Sequence, residues 1–261
     1  MQCLNRATTI NYWLKTKDCK KMAKARYIFI FFLLLSQLQF SMASPATAEC
    51  VVLLHGLWRV SNSMGELEKK LAYTGYSVAN ISYPSRRYGV KLLAEDAVNR
   101  GLNHCRGQQS QIIHFVTHSL GGILVREFLQ DQKIEELGRV VMLGPPNQGS
   151  VLVDELLPIP GFAALWGPTG RNLGTAVEGI IAQLGPVDFE LGIIAGTTNV
   201  NPLSVLVSMG PNDSVVSVNS TKVKGMTEHR VLPVTHTFMM RNNEVIDNAI
   251  HFLKTGMFIP E

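Results

Sequence analysis

Ser119 is the side chain whose surroundings most favour nucleophilic chemistry. It lies in the sequence THSLGG, between an apolar run at 111–117 that is typical of a buried strand and a segment at 120–132 that is typical of a helix. A sharp strand-to-helix turn would lift the Ser119 hydroxyl above the sheet, beside the free backbone N–H groups of a helix N-terminus. Ser63 and Ser208 also stand two residues before a glycine, but neither has a strand before it and a helix after it. A helix N-cap serine would fit the same position, so the turn alone leaves both interpretations open.

A serine hydroxyl needs a base to take its proton, and His236 is the candidate. It stands alone in a predicted loop that follows the strand expected at 229–232. The other histidines lie in predicted strands or helices or form part of the short sequences LHGL and THSLGG. They are His55, His104, His114, His118, His229 and His251. The alternative for His236 is a solvent-exposed loop histidine without a chemical role.

A carboxylate must orient that histidine, and Asp213 is the candidate. It belongs to the turn cluster GPNDSVV and precedes His236 by 23 residues. Asp188 and Glu190 are rivals, but both precede the strand expected at 191–195. That position puts them at the edge of a parallel sheet opposite to the residues that follow strands. An Asx-turn or capping aspartate would suit the same turn cluster, and this alternative for Asp213 stays open.

Strand-like and helix-like segments alternate from residue 50 onward. Apolar runs predict strands at 51–55, 76–83, 111–117, 140–143, 191–195 and 229–232. Periodic apolar residues predict helices at 61–74, 91–104, 120–132 and 243–254. This alternation is typical of an α/β fold with a mostly parallel sheet, in which the residues that follow the strands meet at one edge.

Together these motifs resemble the α/β-hydrolase superfamily, in particular its bacterial lipases and esterases. The sequence THSLGG is similar to the nucleophile elbow of that superfamily. The sequence LHGL at 54–57 matches the His-Gly form of the oxyanion-hole turn that is common in bacterial lipases. The resemblance implies backbone N–H donors at Leu57 and Leu120. One departure is Thr117, which stands where many members of the superfamily have glycine.

The resemblance also implies a fold and a reaction. The fold is the α/β-hydrolase fold, with helices on both faces of a mostly parallel sheet. The order Ser119, Asp213, His236 is the order of the catalytic triad in this superfamily, and it implies hydrolysis of a carboxylic ester through an acyl-enzyme on Ser119. Acyl transfer to another alcohol or to a thiol by the same triad is one alternative, and a non-enzymatic binding protein that keeps the fold is another. No metal or cofactor is expected, because Cys and His do not recur at ligand spacing and no glycine-rich phosphate loop follows the first strand.

The segment 151–187 lies where hydrolases of this fold insert a cap or lid. Proline, glycine and apolar side chains are concentrated in it at 156–166, with the sequence LLPIPGFAALW. A flap over an acyl pocket would suit this composition, so we expect a lipophilic ester or another acyl substrate and transient contact with a lipid surface. Simple packing of a long loop explains the same residues, and the composition does not separate the two interpretations.

The first 48 residues have the pattern of an export signal. A basic cluster ending at Arg26 precedes the apolar run YIFIFFLLLSQLQF at 27–40, and small residues follow it. A start at Met22 would give a basic region of ordinary length, and a membrane anchor through 27–40 is the alternative to a cleaved signal. We therefore expect an exported chain, periplasmic or secreted, whose hydrolase domain covers 49–261.

The composition excludes several other classes of protein. A hydrophobic content of 46% rules out a disordered chain, and the lack of further long apolar runs rules out a polytopic membrane protein. The net charge of +4 comes from residues 1–48, so the rest of the chain carries about −2. No nucleic-acid partner is therefore expected.

Export leaves Cys50 and Cys105 as an even pair of thiols in an oxidising compartment. In the fold that the resemblance implies, the strands at 51–55 and 111–117 are parallel neighbours, so the residues before them lie close together. A structural disulfide between Cys50 and Cys105 is expected. The alternative is two separate thiols, if their Cα atoms lie more than about 7 Å apart.

Overall fold

Six parallel strands form the centre of the domain that the structure describes. The computed structural model describes residues 48–177, 179–201, 207 and 209–260. The strands are β1 (Glu49–Leu54), β2 (Ser77–Ile81), β3 (Ile112–His118), β4 (Leu137–Leu143), β5 (Leu191–Gly196) and β6 (Glu228–Leu232). They lie side by side in the order β2-β1-β3-β4-β5-β6, and every neighbouring pair is parallel.

Helices cover both faces of this sheet. In the described part of the chain they are α1 (Gly65–Tyr73), α2 (Val90–Gly107), α3 (Leu120–Asp131), α4 (Val151–Leu156), α5 (Phe162–Arg171), α6 (Ile180–Gln183), α7 (Val218–Thr221) and α8 (Asn243–Thr255). Short 3-10 helices cover Ser61–Met64 and Met239–Arg241. Helices α2 and α3 pack on one face, and α1 and α8 pack on the other. The α/β architecture expected from the sequence is confirmed.

Alternate side chains of β1 enter opposite cores. Val52 and Leu54 pack with α2 and α3, whereas Val51 and Leu53 pack with α1 and α8. All four are fully buried, which is why the strand reads as a continuous apolar run instead of an alternating one. Burying each such side chain stabilises the fold by roughly 2 kcal/mol.

Strand β4 begins at Leu137, earlier than the predicted 140–143. The pairing of β3 with β4 is irregular next to His114, and the Arg139 N–H donates to the His114 Nδ1 atom at 2.8 Å. A Cβ atom on Gly138 would lie 2.6 Å from that same nitrogen, so only glycine admits the imidazole here. An imidazole acceptor therefore extends the strand, and apolar periodicity does not reveal it.

Two of the predicted helices also differ at their ends. The helix predicted at 61–74 starts as the 3-10 turn Ser61–Met64 and becomes α-helical only at Gly65. The helix predicted at 91–104 continues to Gly107. The remaining predicted strands and helices occur with ends shifted by one or two residues, as is usual for element boundaries.

The carboxyl ends of the strands meet at one edge of the sheet because all six strands are parallel. Strand β3 leads into Ser119, β4 into Gly144, and β5 ends at Gly196. The loop after β6 carries His236. Residues from four separate parts of the chain thus lie at this edge.

The segment between β4 and β5 carries helices α4, α5 and α6. Helix α5 bends at Gly167, where φ is +70°, next to Pro168. Its two halves are tied to the loop that follows β2: the Arg86 guanidinium donates to the carbonyl of Leu165, and the Thr169 hydroxyl donates to the carbonyl of Tyr88. The insertion is therefore anchored outside the sheet by the β2–α2 loop.

The export signal predicted at 1–48, with the alternative anchor at 27–40, lies outside the described residues except for Ala48. In the part of the chain that the structure describes, none of the helices has the length and apolar character needed to cross a bilayer.

Cys50 and Cys105 form a disulfide whose Cα atoms lie 5.6 Å apart. Cys50 lies in β1, and Cys105 lies near the end of α2 instead of in a loop before β3. Both residues are fully buried in the core between α2 and the sheet. The longer α2 brings Cys105 onto the face of the sheet, and the bridge fastens that helix to β1.

Removing this disulfide should destabilise the chain. The bridge joins residues 55 positions apart. Loss of a bridge that closes a loop of this length lowers the free energy of unfolding by about 4 kcal/mol, because the unfolded chain gains conformational entropy. The measurement is urea unfolding of the wild type and the Cys50→Ala/Cys105→Ala variant, each with and without reductant. The wild type should lose stability on reduction and the double variant should not respond; two alkylated thiols in unreduced mature protein would contradict the bridge.

Candidate active site

Ser119 occupies a strained turn between β3 and α3. Its φ is +52° and its ψ is −117°, a combination that few residues with a side chain adopt. The turn is held because the Ser119 N–H donates to the carbonyl of Leu143 at 2.8 Å, at the end of β4. A Cβ atom on Gly121 would lie 2.4 Å from the carbonyl oxygen of Leu54, so glycine is needed where α3 passes β1. These contacts fix the serine at the carboxyl edge of the sheet.

Thr117 fits into the turn at the position where many α/β-hydrolases have glycine. Its side chain is fully buried in β3, and its hydroxyl has no hydrogen-bond partner among the described residues. The close approach of helix and strand is made at Gly121 instead. The threonine therefore does not obstruct the turn.

Asp213 and His236 form a direct hydrogen bond. The His236 Nδ1 atom lies 2.7 Å from Asp213 Oδ2. The other carboxylate oxygen, Oδ1, accepts the N–H groups of Val215 (3.0 Å) and Val216 (2.8 Å). Because a carboxylate only accepts, Nδ1 carries the proton of the neutral imidazole and Nε2 keeps its lone pair. His236 can then act as a base through Nε2.

Backbone hydrogen bonds also hold Asp213 and His236 together. The His236 N–H donates to the carbonyl of Asp213 at 2.9 Å, and the Asp213 N–H donates to the carbonyl of Val216 at 3.2 Å. Asp213 is fully buried and His236 is 7% exposed. The loop after β6 is therefore fixed on the Asp213 turn independently of the side-chain bond.

The loop after β1 carries the predicted oxyanion donor Leu57. His55 stacks on Tyr83 with ring centroids 4.0 Å apart, and its Nε2 atom accepts the Tyr83 N–H at 3.3 Å. The His55 Nδ1–H then donates to the carbonyl of Gly56 at 2.9 Å. A Cβ atom on Gly56 would lie 2.7 Å from His118 Nδ1 and 3.2 Å from the Cβ of Ser119, so a glycine is needed where this loop passes the side chains of the serine turn. Leu57 lies in the wall of the cavity next to Ser119, and Leu120 is the first residue of α3.

A cavity of about 320 Å³ opens beside these groups. Ser119, His118 and His236 lie in its wall, and much of the remaining wall is apolar: Leu57, Pro146, Val153, Trp166, Leu173, Val215 and Val216. Val153 and Trp166 come from the insertion helices α4 and α5. Among the described residues no hydrogen bond joins Ser119 Oγ to His236, but both side chains face the same space.

Several solved structures of other proteins are similar to this fold. No protein-family model and no curated protein sequence matches the chain. A lipase of Bacillus licheniformis, BlEst2 in its mature form, superposes with a TM-score of 0.63 and 16% identity, over 84% of this chain and 95% of that one. Lipase B of Aspergillus fumigatus gives a TM-score of 0.58 and 16% identity, over 83% of this chain and 56% of that one. The chain has the α/β-hydrolase fold.

A third similar structure is the phospholipase PlaB of Legionella pneumophila, with a TM-score of 0.57 and 19% identity, over 67% of this chain and 44% of that one. At these identities the likeness concerns the fold alone.

The structure brings together some of the groups proposed from sequence and separates others. Asp213 is in contact with His236, whereas the rival Glu190 pairs with Arg139 at 2.8 Å ahead of β5. The other rival, Asp188, lies in the wall of a different hollow. Of the other two Ser-x-Gly serines, Ser63 donates to the carbonyl of Val60 within a 3-10 turn, and Ser208 lies outside the described residues.

His118 is a site residue that the sequence did not reveal. Its ring lies 4.8 Å from the ring of His236, and its Nε2–H donates to the carbonyl of His236 at 2.9 Å. Burial lowers the pKa of His118 well below its usual value, and the neighbouring His236 lowers it further. His118 therefore stays neutral, and from the position directly before Ser119 it holds the backbone of the candidate base.

Two glycines at strand ends were also missed. A Cβ atom on Gly144, where φ is +54°, would lie 3.0 Å from Asp213 Oδ2 and 3.1 Å from His236 Nδ1. A Cβ atom on Gly196 would lie 2.8 Å from the Cβ of Asp213. Both glycines make room for the carboxylate–imidazole pair, and no local sequence signal distinguishes them from ordinary turn glycines.

Acid should destabilise this fold from about pH 6.5 downward. The pKa of His118 is lowered in the folded chain, and burial also lowers the pKa of His55 and of His229, while an unfolded histidine titrates near 6.5. The unfolded chain therefore binds more protons below that pH, and the free energy of unfolding falls with pH by up to about 1.4 kcal/mol per unit for each such histidine. Urea unfolding at several pH values between 5 and 7.5 measures this slope.

The His118→Asn variant keeps an N–H donor but cannot be protonated, so its slope should be smaller than that of the wild type. His104→Asn is the matched control, because His104 is exposed on α2 and its variant should keep the wild-type slope. A His118→Asn slope equal to that of the wild type would contradict the neutral buried state of His118.

Proposed function

We propose that this chain is a serine hydrolase that cleaves carboxylic esters through an acyl-enzyme on Ser119. One observation carries the proposal: the Asp213–His236 pair and the strained Ser119 turn face one cavity at the carboxyl edge of the sheet. The proposal is further supported by the solved structures of similar fold, of which several are described as lipases or esterases.

The reaction follows from the roles of the three side chains. His236 Nε2 takes the proton of Ser119 Oγ as the oxygen attacks the ester carbonyl, and Asp213 stabilises the imidazolium that forms. The N–H groups of Leu57 and Leu120 stabilise the negative oxygen of the tetrahedral intermediate. The alkoxide leaves as an alcohol with the proton from His236. Water then attacks the acyl-enzyme by the same route, releasing the acid and restoring Ser119.

The acyl part of the substrate is lipophilic in this proposal. The apolar wall of the cavity, formed in part by Val153, Trp166 and Leu173, suits a hydrocarbon chain better than a polar group. The insertion that carries Val153 and Trp166 would then serve as a cap over the acyl chain. A buried disulfide supports the further proposal that the chain is exported to an oxidising compartment.

Ser119→Ala should abolish ester hydrolysis and labelling by a fluorophosphonate while the fold stays intact. Removing a triad nucleophile costs on the order of 10⁶ in kcat, and removing the orienting carboxylate in Asp213→Asn costs on the order of 10⁴. The measurements are hydrolysis of p-nitrophenyl esters and gel detection of the label. Ser63→Ala is the matched control, since Ser63 shares the Ser-x-Gly sequence but lies in a 3-10 turn, and it should keep full activity. Equal labelling of wild type and Ser119→Ala would refute the proposal.

Trp166→Ala should shift the preferred acyl chain to greater length. Trp166 stacks on Phe162 and forms part of the cavity wall, so its removal enlarges the space for the substrate. The measurement is kcat/KM over p-nitrophenyl esters from acetate to decanoate. The neighbouring Leu165 is 54% exposed, and Leu165→Ala keeps the backbone carbonyl that binds Arg86, so it should leave the profile unchanged. An unchanged profile in Trp166→Ala would place the acyl chain elsewhere.

A further inference from the structure

A second hollow adjoins the Ser119 cavity and is lined by arginine. Its volume is about 520 Å³, and the two spaces share Trp58 and Arg59 in their walls. The hollow lies between the loop after β1 and the loop after β2, and Arg86 and Arg87 complete its charged lining. Among the described residues that line it, none is an aspartate or a glutamate. Three positive charges therefore surround a space next to the nucleophile.

These three arginines lack carboxylate partners in the described part of the chain. Arg86 lies over the ring of Trp58, with its guanidinium carbon 3.5 Å from the ring centroid, and donates to the carbonyl of Leu165. Four other arginines of the domain do pair with a carboxylate, namely Arg100, Arg106, Arg139 and Arg230. The buried Arg126 instead donates to the backbone carbonyls of Leu184 and Gly185. Since residues 49–261 carry a net charge of about −2, the arginine hollow is not a sample of a generally basic surface.

The loops that carry the arginines are held in place. The Trp58 N–H donates to the Ser85 hydroxyl at 3.2 Å, which joins the two loops across the hollow. Tyr83 stacks on His55 at the base of the same loops. The Arg86 guanidinium, which is held between Trp58 and Leu165, loses little freedom when it binds an anion. The planar array of N–H groups of a guanidinium suits the oxygens of phosphate.

We propose that this arginine hollow binds a phosphate group on the alcohol side of the ester, so that the preferred substrates are acyl esters of phosphate-bearing alcohols. The inference rests on the proposed ester hydrolysis at Ser119. The acyl chain occupies the apolar cavity, Trp58 and Arg59 mark the boundary, and the phosphate lies among Arg59, Arg86 and Arg87. A dianionic group with several oxygens can contact more than one guanidinium, which one carboxylate does less well.

The test compares two soluble substrates with the same acyl chain, hexanoyl glycerol and hexanoyl glycerol phosphate, as monomers in solution. The wild type should prefer the phosphate ester, and the Arg59→Gln/Arg87→Gln variant should lose that preference by at least tenfold in the kcat/KM ratio, mainly through KM. Arg106→Gln is the matched control: it removes one arginine charge near the start of β4, at the opposite edge of the sheet, and should keep the ratio.

The outcomes separate this inference from the proposed function. If the wild type hydrolyses neither ester, the proposed ester hydrolysis fails. If it hydrolyses both with equal kcat/KM, or if the double variant keeps the wild-type ratio, the phosphate subsite is overturned while the hydrolysis stands. Binding to phosphatidylglycerol vesicles, measured by sedimentation, gives a further outcome. If the double variant loses vesicle binding but keeps the wild-type kcat/KM ratio for the two soluble esters, the arginines bind an anionic lipid surface and the phosphate subsite is overturned.

A second measurement uses the wild type alone, so its result does not depend on whether the variant folds. Glycerol 3-phosphate should slow fluorophosphonate labelling of Ser119, because the anion would occupy the hollow at the cavity mouth, whereas glycerol at the same concentration should not. Equal labelling rates with the two compounds would overturn the proposal.

Discussion

The hydrogen bond between Asp213 and His236 depends on backbone from three strands coming into contact around it. Gly144 follows β4 and Gly196 ends β5, and a side chain on either would occupy space now filled by the carboxylate or the imidazole. The loop after β6 brings His236 to the same point, where its N–H is bonded to the Asp213 carbonyl. Because the strands are parallel, all three arrive at one edge, and the elbow at Ser119 arrives there from β3.

The three histidines around this bond, His55, His118 and His236, have different roles because their surroundings differ. His118 and His55 are buried, hydrogen-bonded to backbone, and have lowered pKa values. They are therefore neutral rings that position the loops, and in the part of the chain that the structure describes neither of them is bonded to a carboxylate. His236 alone among the three has Asp213 beside its Nδ1 atom, at 2.7 Å, so the carboxylate fixes the orientation of this ring and of no other in the cluster. A single acid thus selects one histidine from a cluster of three.

The sequence was sufficient for those features whose signals are local. The elbow at Ser119 could be predicted because strand, turn and helix follow each other within some twenty residues, and the alternating elements predicted the parallel sheet. The roles of His118, Gly144 and Gly196 could not be predicted, since each depends on a contact with residues far along the chain, as when His118 meets His236 across 118 positions. The length of α2, which decides where Cys105 lies, was underestimated because its last turn carries polar residues.

Arg86 links the segment between β4 and β5 to the loop after β1. Arg86 lies on the ring of Trp58, one residue from the proposed oxyanion donor Leu57, while it also donates to the carbonyl of Leu165 in α5. Trp58 itself holds a positive φ of +63°, a conformation that a large side chain keeps only when its surroundings fix it. Any movement of α5 away from the cavity must therefore break the bond to Arg86 or carry Arg86 off the tryptophan. An anion in the arginine hollow would bind that same guanidinium. The phosphate subsite, the cap and the oxyanion-hole loop, all three of them proposed here, would therefore respond to one another through Arg86.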